Sequence, residues 1–252
     1  MPSFSHSKLT AYQQCPQKYK FRYLDEIPPP VRGIELHLGD TVHQALQKLY
    51  ESALQGQTHS CDELHTFYEQ KWEQGYSSQM RIVRSGTTAR TYLELGRHML
   101  QTYHQRFYPF TESATLELEE QFLFPLSDGR EIRGIIDRLA KAADGSLEIH
   151  DYKTSRRFPT PSQVAADTQL ALYELALRHR WPDTQRITLI WHYLAFDSDI
   201  SIAKTLKQLE TIKQNTLGLI GRIEATTYFP TYVTPLCDWC EYKEMCPAMK
   251  KR

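Results

Sequence analysis

The sequence predicts an α/β (α+β) protein with a central mixed sheet, an antiparallel meander within that sheet, and helices on its flanks. Apolar residues recur at helical spacing over much of residues 1–107, and the pattern changes to alternation from residue 116. Two Asp-Gly pairs, at 128–129 and 144–145, divide the alternating region into three strands. A strongly apolar strand at 186–196 then stands between two further helices, as expected for a buried strand.

The N-terminal elements are predicted to be a short helix, a linker and a long helix. The first helix begins at Ser7, whose hydroxyl is suited to capping it, and Pro16 ends or kinks it. The three prolines at 28–30 predict a rigid, extended linker. Residues 38–54 place apolar side chains on one stripe, which predicts an amphipathic helix.

Residues 55–110 carry no motif and are predicted to be a helical insertion. Ser60 and Glu63 form a capping box for a helix that reaches about residue 76. A second helix runs from about residue 88 to residue 107. We expect the whole chain, residues 1–252, to form one domain.

The remaining elements follow in the order that a mixed sheet requires. The three alternating strands span 116–126, 131–141 and 146–153, and a helix over 162–180 follows them. After the apolar strand, a short strand and a helix at about 205–225 lead to a cysteine-rich tail.

Composition bounds the function. The 252 residues carry 30 basic and 30 acidic side chains, so the formal net charge is zero. This neutrality argues against a protein that coats nucleic acid by bulk electrostatics, but it allows an enzyme with a locally basic groove. No apolar run reaches membrane-spanning length and no basic-apolar leader follows Met1, which predicts a cytoplasmic protein.

The candidate reaction centre lies on the hairpin around Asp144-Gly145. Asp151 and Lys153 are two apart on the third strand, so their side chains project to the same face. Counting outward from the turn places Asp137 opposite Asp151, within one residue. Two adjacent carboxylates are costly unless a cation neutralises them, and a hard divalent ion accepts both. Taken alone, Asp151 and Lys153 can equally be a surface ion pair.

Three other polar residues are candidates for the same centre, although each has a structural alternative. His43 lies one turn into the amphipathic helix that Gly39 opens, where a single histidine is more often a structural residue. Gln169 and Tyr173 are four apart on the next helix and share a face, a spacing that indicates little by itself.

Four cysteines are split between the two ends of the chain. Cys237, Cys240 and Cys246 form a C-x2-C-x5-C pattern, and Cys15 is the natural fourth ligand for one inorganic centre. Four thiolates hold either Zn2+ or a [4Fe-4S] cluster. Zinc sites usually bring two close pairs of ligands, whereas this chain combines one distant cysteine with a triplet. The fifth, Cys61, is interpreted as an ordinary reduced thiol.

In order and spacing, these residues resemble the motifs of the PD-(D/E)XK nuclease superfamily, in its RecB-like branch. The matching positions are His43, Gly134-x-x-Asp137, Asp151-x-Lys153 and Gln169-x3-Tyr173. The cysteine arrangement resembles the iron-sulfur members of that branch, which include AddB-type helicase-nuclease domains and standalone CRISPR-adaptation nucleases. The resemblance covers residues from about 5 to 247 and implies a restriction-endonuclease-like core.

The resemblance implies a role for each matching residue. Asp137 and Asp151 would bind a divalent metal, together with His43 and the backbone carbonyl of Tyr152. A nitrogen ligand would favour Mn2+ somewhat over Mg2+. Lys153 would be the catalytic lysine. The remaining pair, Gln169 and Tyr173, would orient DNA or the active-site groups.

The expected activity is that of a Mg2+- or Mn2+-dependent deoxyribonuclease, an exonuclease rather than an endonuclease, acting on single-stranded DNA or DNA ends. The cysteines at 15, 237, 240 and 246 would hold a [4Fe-4S] cluster that staples the chain ends. The long separation of His43 and Gly134 favours a repair or phage context over CRISPR adaptation.

Two other functions stay open on the sequence. One is a DNA-end-binding subunit that is active only with a helicase or integrase partner. These residues contain no Walker-type motif, so any motor would be a separate chain. The other is an enzyme that acts on RNA.

Overall fold

The computed structural model describes residues 3–126 and 129–249. Within these residues, six strands form one mixed sheet flanked by helices, as the sequence pattern predicts. The strands are β1 (Ser3–Phe4), β2 (Ser113–Pro125), β3 (Glu131–Ala142), β4 (Leu147–Lys153), β5 (Ile187–Tyr193) and β6 (Ser198–Ile202). Their spatial order is β1-β3-β4-β5-β6, and β2 pairs with the other edge of β3.

The sheet contains the predicted meander and a split beside it. β2, β3 and β4 are antiparallel neighbours, whereas β5 runs parallel to β4 and antiparallel to β6. The β3–β4 pairing ends with Arg138 opposite His150, so the next step outward brings Asp137 to Asp151. On the same edge of β3, β1 pairs with residues 131–132. In the described part of the chain, no strand pairs with this edge between these two contacts.

Helices cover both faces of the sheet. They are α1 (His6–Gln14), α2 (Pro16–Tyr19), α3 (Ile34–Leu54), α4 (Cys61–Gly75), α5 (Ala89–Phe107), α6 (Pro161–Ala166), α7 (Gln169–Arg180) and α8 (Leu206–Glu224). One hydrophobic core lies between the sheet and α1, α7 and α8. A second lies between the sheet and α3, α4 and α5. The central strands β4 and β5 therefore have an apolar layer on each side and are buried almost continuously.

Several boundaries follow local chemistry that the sequence reveals. Pro16 separates α1 from α2, and the Ser60–Glu63 capping box starts α4 as expected. Gly145 has a φ of 86°, as the predicted turn requires. In the other predicted turn, Gly129 has a φ of 83°, whereas Asp128 lies outside the described residues.

Three helix predictions are wrong in detail. The helix expected over 38–54 begins at Ile34, which packs in the second core, so Gly39 lies inside the helix and does not open it. Ser5, rather than Ser7, caps α1, because its hydroxyl accepts the N–H of Lys8 at 3.2 Å. The single helix expected over 162–180 is two helices, α6 and α7. The Asp167 carboxylate accepts the N–H of Gln169 at 2.8 Å and so begins a new helix at that residue.

Two further differences concern strands. β1 was not predicted, since two residues are too few to show alternation. The strand expected over 186–196 ends at Tyr193 and continues as a 3-10 turn, Leu194–Phe196. Among the described helices, none is both long enough and apolar enough to cross a membrane.

Candidate active site

The candidate active site lies where β3 and β4 separate. Asp137 Oδ2 accepts the backbone N–H of Tyr152 at 2.8 Å. In a regular antiparallel pair, the N–H of Tyr152 would donate to a backbone carbonyl of β3. Here the Asp137 side chain accepts it instead. This bond holds the Asp137 carboxylate in the opening between the two strands.

His43 reaches the same opening from α3. A Cβ on Gly39, one turn earlier, would lie 3.4 Å from the Thr154 side chain, so the glycine lets α3 pack closely against the end of β4. His43 Nε2 lies 2.8 Å from the Tyr152 carbonyl oxygen, and Nδ1 lies 3.5 Å from Asp137 Oδ2. These contacts use different ring nitrogens, and one imidazole offers one nitrogen to an ion, so Nδ1 is the nitrogen placed to share an ion with Asp137, whereas the Tyr152 carbonyl lies on the Nε2 side of the ring.

The charge state of His43 is set by its carboxylate neighbours. Burial alone would lower the pKa of the imidazole, but Asp137 and Asp151 outweigh burial and raise this pKa to about 9. In the metal-free protein, an imidazolium therefore neutralises part of the negative charge that a divalent ion would balance.

Glu119 on β2 joins this group, and the sequence analysis missed it. The ligand atoms of Glu119, His43 and Asp137 lie within 4.8 Å of one another. Burial and the nearby Asp137 raise the pKa of the Glu119 carboxyl to about 7. Its backbone has a φ of 48°, a left-handed conformation that is costly for a non-glycine residue. The signal was hidden because glutamates at 117, 119 and 120 look like a solvated strand face.

Asp151 and Lys153 form the second half of the site. Lys153 Nζ lies 2.6 Å from Asp151 Oδ2 and donates to Gln169 Oε1 at 2.8 Å. The Gln169 amide in turn donates to Asp151 Oδ1 at 2.9 Å and to the Tyr173 hydroxyl at 3.1 Å. The four residues named by the two motifs therefore form one hydrogen-bonded chain, with Gln169 at its centre.

Burial decides the protonation of this chain. Burial raises the pKa of the Asp151 carboxyl to about 6, even though Lys153 opposes the shift. For Lys153, burial would lower the pKa of the ammonium, but Asp151 outweighs burial and the pKa is raised. In this arrangement Lys153 carries a positive charge at neutral pH, held by its contact with Asp151.

Gly134 explains why the site carries a Gly-x-x-Asp motif. A Cβ on Gly134 would lie 2.6 Å from the ring of Phe122 and 2.7 Å from the ring of Tyr173. These two rings pack edge to face at 5.0 Å between their centroids. The glycine thus allows Tyr173, and with it α7, to approach β3.

A buried arginine next to Asp137 takes part in a network that links the site to the surrounding helices. Arg138 follows Asp137, and its guanidinium lies 4.2 Å from the centroid of the Tyr50 ring. The Tyr50 hydroxyl lies 2.7 Å from that of Tyr103, which lies 3.4 Å from the Tyr152 hydroxyl. This network joins α3 and α5 to the two strands on which Asp137 and Asp151 lie.

The four end cysteines also come together. Cys15, Cys237, Cys240 and Cys246 line one cavity of about 720 Å3. The N–H of Tyr232 points at Cys15 Sγ at 3.5 Å, and the N–H of Thr234 points at Cys237 Sγ at 3.4 Å. The Cys237 sulfur also lies 3.8 Å from the Tyr232 carbonyl oxygen, so both cysteines contact the backbone of residues 232–234.

The cysteine segment is tied to the elements around the active site. Arg81 donates to the Cys240 carbonyl oxygen at 2.7 Å. The indole N–H of Trp239 donates to Glu35 in the first turn of α3 at 3.2 Å. His43 also lies on α3. The same helix therefore contacts the cysteine segment and carries a residue of the candidate metal site.

Comparison with known proteins agrees with this geometry. A family model described as the PD-(D/E)XK nuclease superfamily matches residues 3–247. The matched range includes all the site residues discussed above.

Two individual relatives add detail. An ATP-dependent helicase/deoxyribonuclease subunit from Streptococcus uberis (strain ATCC BAA-854 / 0140J) is 26% identical over 176 residues, which is 61% of this chain but 14% of that protein. A crystal structure of a candidate exonuclease from Eubacterium rectale aligns over 99% of this chain and 88% of that one, with a TM-score of 0.55 and 11% identity. The second match shows that the fold is restriction-endonuclease-like.

Proposed function

The chain belongs to the PD-(D/E)XK nuclease superfamily, and on that premise we propose that it is a divalent-metal-dependent deoxyribonuclease of the RecB-like branch. Its substrate is single-stranded DNA or a DNA end, and it acts as an exonuclease. The observation that carries the proposal is the meeting of two carboxylates, an imidazole and a charged lysine at the split between β3 and β4.

The chemistry of the donors fits a hard divalent ion. His43, Asp137, Glu119 and the Tyr152 carbonyl would hold Mn2+ or Mg2+, and Asp151 would join them by exchanging part of its contact with Lys153. Such an ion, when bound, supplies Lewis-acid activation of the phosphate and of the attacking water. Lys153 keeps its proton and places positive charge beside the phosphate as negative charge builds up there. Gln169 holds the lysine and Asp151 at a fixed separation.

The test is to remove each group separately. Asp137→Ala, Asp151→Ala and Lys153→Ala should each lower Mn2+-dependent cleavage of labelled single-stranded DNA by about 100-fold or more. Asp183→Ala and Lys141→Ala, which alter exposed residues away from the split, should cleave like the wild type. If the three site variants, purified free of host nucleases, cleave DNA as well as the wild type does, the proposal is overturned.

A second candidate is a nuclease subunit that needs a partner. The relative from Streptococcus uberis is named as a helicase/deoxyribonuclease subunit, which supports a helicase as partner. An integrase partner and a CRISPR context rest on the cysteine and motif resemblance alone. Cleavage by the isolated chain decides between the two candidates, and a matched RNA substrate tests the RNA alternative.

We also propose that Cys15, Cys237, Cys240 and Cys246 hold a [4Fe-4S] cluster. What supports this proposal is that the four cysteines line one cavity and that one distant cysteine joins a triplet, as in the iron-sulfur members that the sequence resembles. The role of the cluster is structural, holding the two chain ends together. The insertion at 55–110 and a cytoplasmic location stay predictions.

A further inference from the structure

Two exposed aromatic rings lie beyond the catalytic lysine. Phe158 and Phe196 are 40% and 43% exposed, which is unusual for phenylalanine side chains that touch each other. Their ring centroids are 5.3 Å apart, and Phe158 also lies 5.0 Å from the ring of the buried Tyr193. The Phe158 ring is inclined by 69° to the Phe196 ring and by 58° to the Tyr193 ring, and the three rings form a tilted series, the aromatic ladder, that runs from the sheet to the surface.

The ladder starts beside the active site. Tyr193, its inner ring, pairs in register with Lys153 across the parallel strands β4 and β5. Phe158 lies on the loop that leaves β4 after Lys153, and Phe196 lies on the turn that follows β5. Parallel strands end at the same edge of a sheet, so both exposed rings lie at the edge that carries the lysine.

The loop that carries Phe158 is positively charged. Arg156 and Arg157 precede the ring, and in the described ranges neither guanidinium lies within 4.0 Å of a carboxylate. Arg157 lines the cysteine cavity, and Arg156 is an exposed basic residue two positions before Phe158. Asp197, next to Phe196, is balanced by Arg106 at 3.7 Å.

The loop that carries Phe158 is fixed by a hydrogen bond and borders a cleft. The Ser155 hydroxyl accepts the N–H of Arg157 at 3.1 Å, which fixes the turn before Phe158. A cleft of about 440 Å3 opens beside Phe158, with apolar walls that include Val164 and Ile200 and with Lys204 in its lining. Flat apolar rings beside basic groups match the alternation of bases and phosphates in an unpaired strand.

We propose that Phe158 and Phe196 are a stacking platform for unpaired bases of the DNA strand, and that Arg156 contacts a phosphate of the same strand. This inference rests on the proposed nuclease function and deepens it, since it makes single-stranded DNA the species that reaches Lys153. The occupant is a nucleic acid rather than a protein segment because the platform continues directly into a site built for phosphate chemistry.

The test separates stacking from general binding. In an Asp151→Asn background, which keeps DNA intact, anisotropy is measured with a fluorescein-labelled oligothymidylate of about 15 nucleotides and with an abasic strand of equal length. Phe158→Ala and Phe196→Ala should each weaken oligothymidylate binding by about fivefold or more and leave abasic binding nearly unchanged. Arg156→Gln should weaken both. Tyr228→Ala, which removes another exposed ring (78%), should change neither.

The outcomes are distinct. An equal loss on both strands, or no loss on either, would overturn the platform. If Phe158→Ala fails to fold, Phe158→Trp and Phe158→Leu replace it, and only the tryptophan should retain the preference for base-bearing DNA. Cleavage by the otherwise wild-type chain is measured separately. Its absence would refute a nuclease that acts without a partner, whereas cleavage without a base preference would refute the platform alone.

Discussion

Two residues at the candidate metal site carry protons that a divalent ion has to displace. The pKa of His43 is raised to about 9 by its carboxylate neighbours, and that of Glu119 to about 7 by burial and Asp137. An ion binds the neutral imidazole and the ionised carboxylate. Metal affinity should therefore fall as the pH falls from 9 to 6, by about tenfold per pH unit for each proton displaced.

Glu119→Gln tests whether Glu119, which no sequence motif identifies, is a ligand of the metal ion. We expect weaker Mn2+ binding at pH 8 and a shallower pH dependence below pH 7, because one of the two displaced protons is gone. Glu120→Gln is the control, since that neighbouring glutamate lies by Arg180 at 3.4 Å rather than at the site. Titration calorimetry in two buffers of different ionisation enthalpy counts the protons. An unchanged affinity in Glu119→Gln would remove it from the ligand set.

The residues that the sequence identified are those whose spacing reflects a regular element. Asp137, Asp151 and Lys153 follow from strand alternation and hairpin register, and the structure brings them together with His43. Glu119 was not identified, because its orientation depends on one left-handed backbone angle. No pattern of residue types reports such an angle at a glutamate.

At the scale of elements, the packing of α5 depends on a missing side chain. A Cβ on Gly96 would lie 2.5 Å from the Tyr68 ring on α4 and 2.9 Å from Leu38 on α3. Gly96→Ala should therefore lower the free energy of unfolding by about 1–3 kcal/mol through overpacking. In α8, Gly221→Ala meets no atom within 4 Å and should raise stability by up to about 1 kcal/mol.

Chemical denaturation of the two variants compares them on one scale. Opposite shifts of the midpoint with an unchanged slope would support the packing argument. A Gly96→Ala variant as stable as the wild type would mean that α3, α4 and α5 adjust to the added methyl group at no cost.

Elements were predictable where one strong local rule acts, and were missed where two rules compete. The helix over 162–180 has helical periodicity throughout, yet Asp167 caps a new helix at Gln169. Because α7 begins at Gln169, the side chain of Gln169 reaches Asp151. The break between α6 and α7 therefore positions a residue of the candidate site. β1 is held by its pairing with β3 and by the burial of Phe4 in the core, which are contacts between residues far apart in sequence that no short window contains.

At the scale of the whole molecule, the cysteines join the beginning of the chain to its end. If the four cysteines hold the proposed [4Fe-4S] cluster, Cys15→Ser should release it and lower the melting temperature by about 5 °C or more. Cys61→Ser is the control, since Cys61 lies at the start of α4 beside His65 and away from the cavity.

The measurement is anaerobic purification followed by visible absorption, iron and sulfide analysis, and thermal melting. The wild type and Cys61→Ser should both be coloured and contain about four irons per chain. A colourless wild type with one zinc would contradict the cluster while leaving the nuclease site intact.

The irregular backbone of β2 affects how two copies of the protein can associate. In the described chain this 13-residue strand pairs only through β3, so its outer row of backbone N–H and C=O groups is available to a strand of a second molecule. The register shift after Thr115 and the left-handed Glu119 interrupt that row, and several glutamates charge it. The distortion that brings Glu119 close to His43 and Asp137 thus also discourages the edge-to-edge pairing from which fibrous aggregates grow.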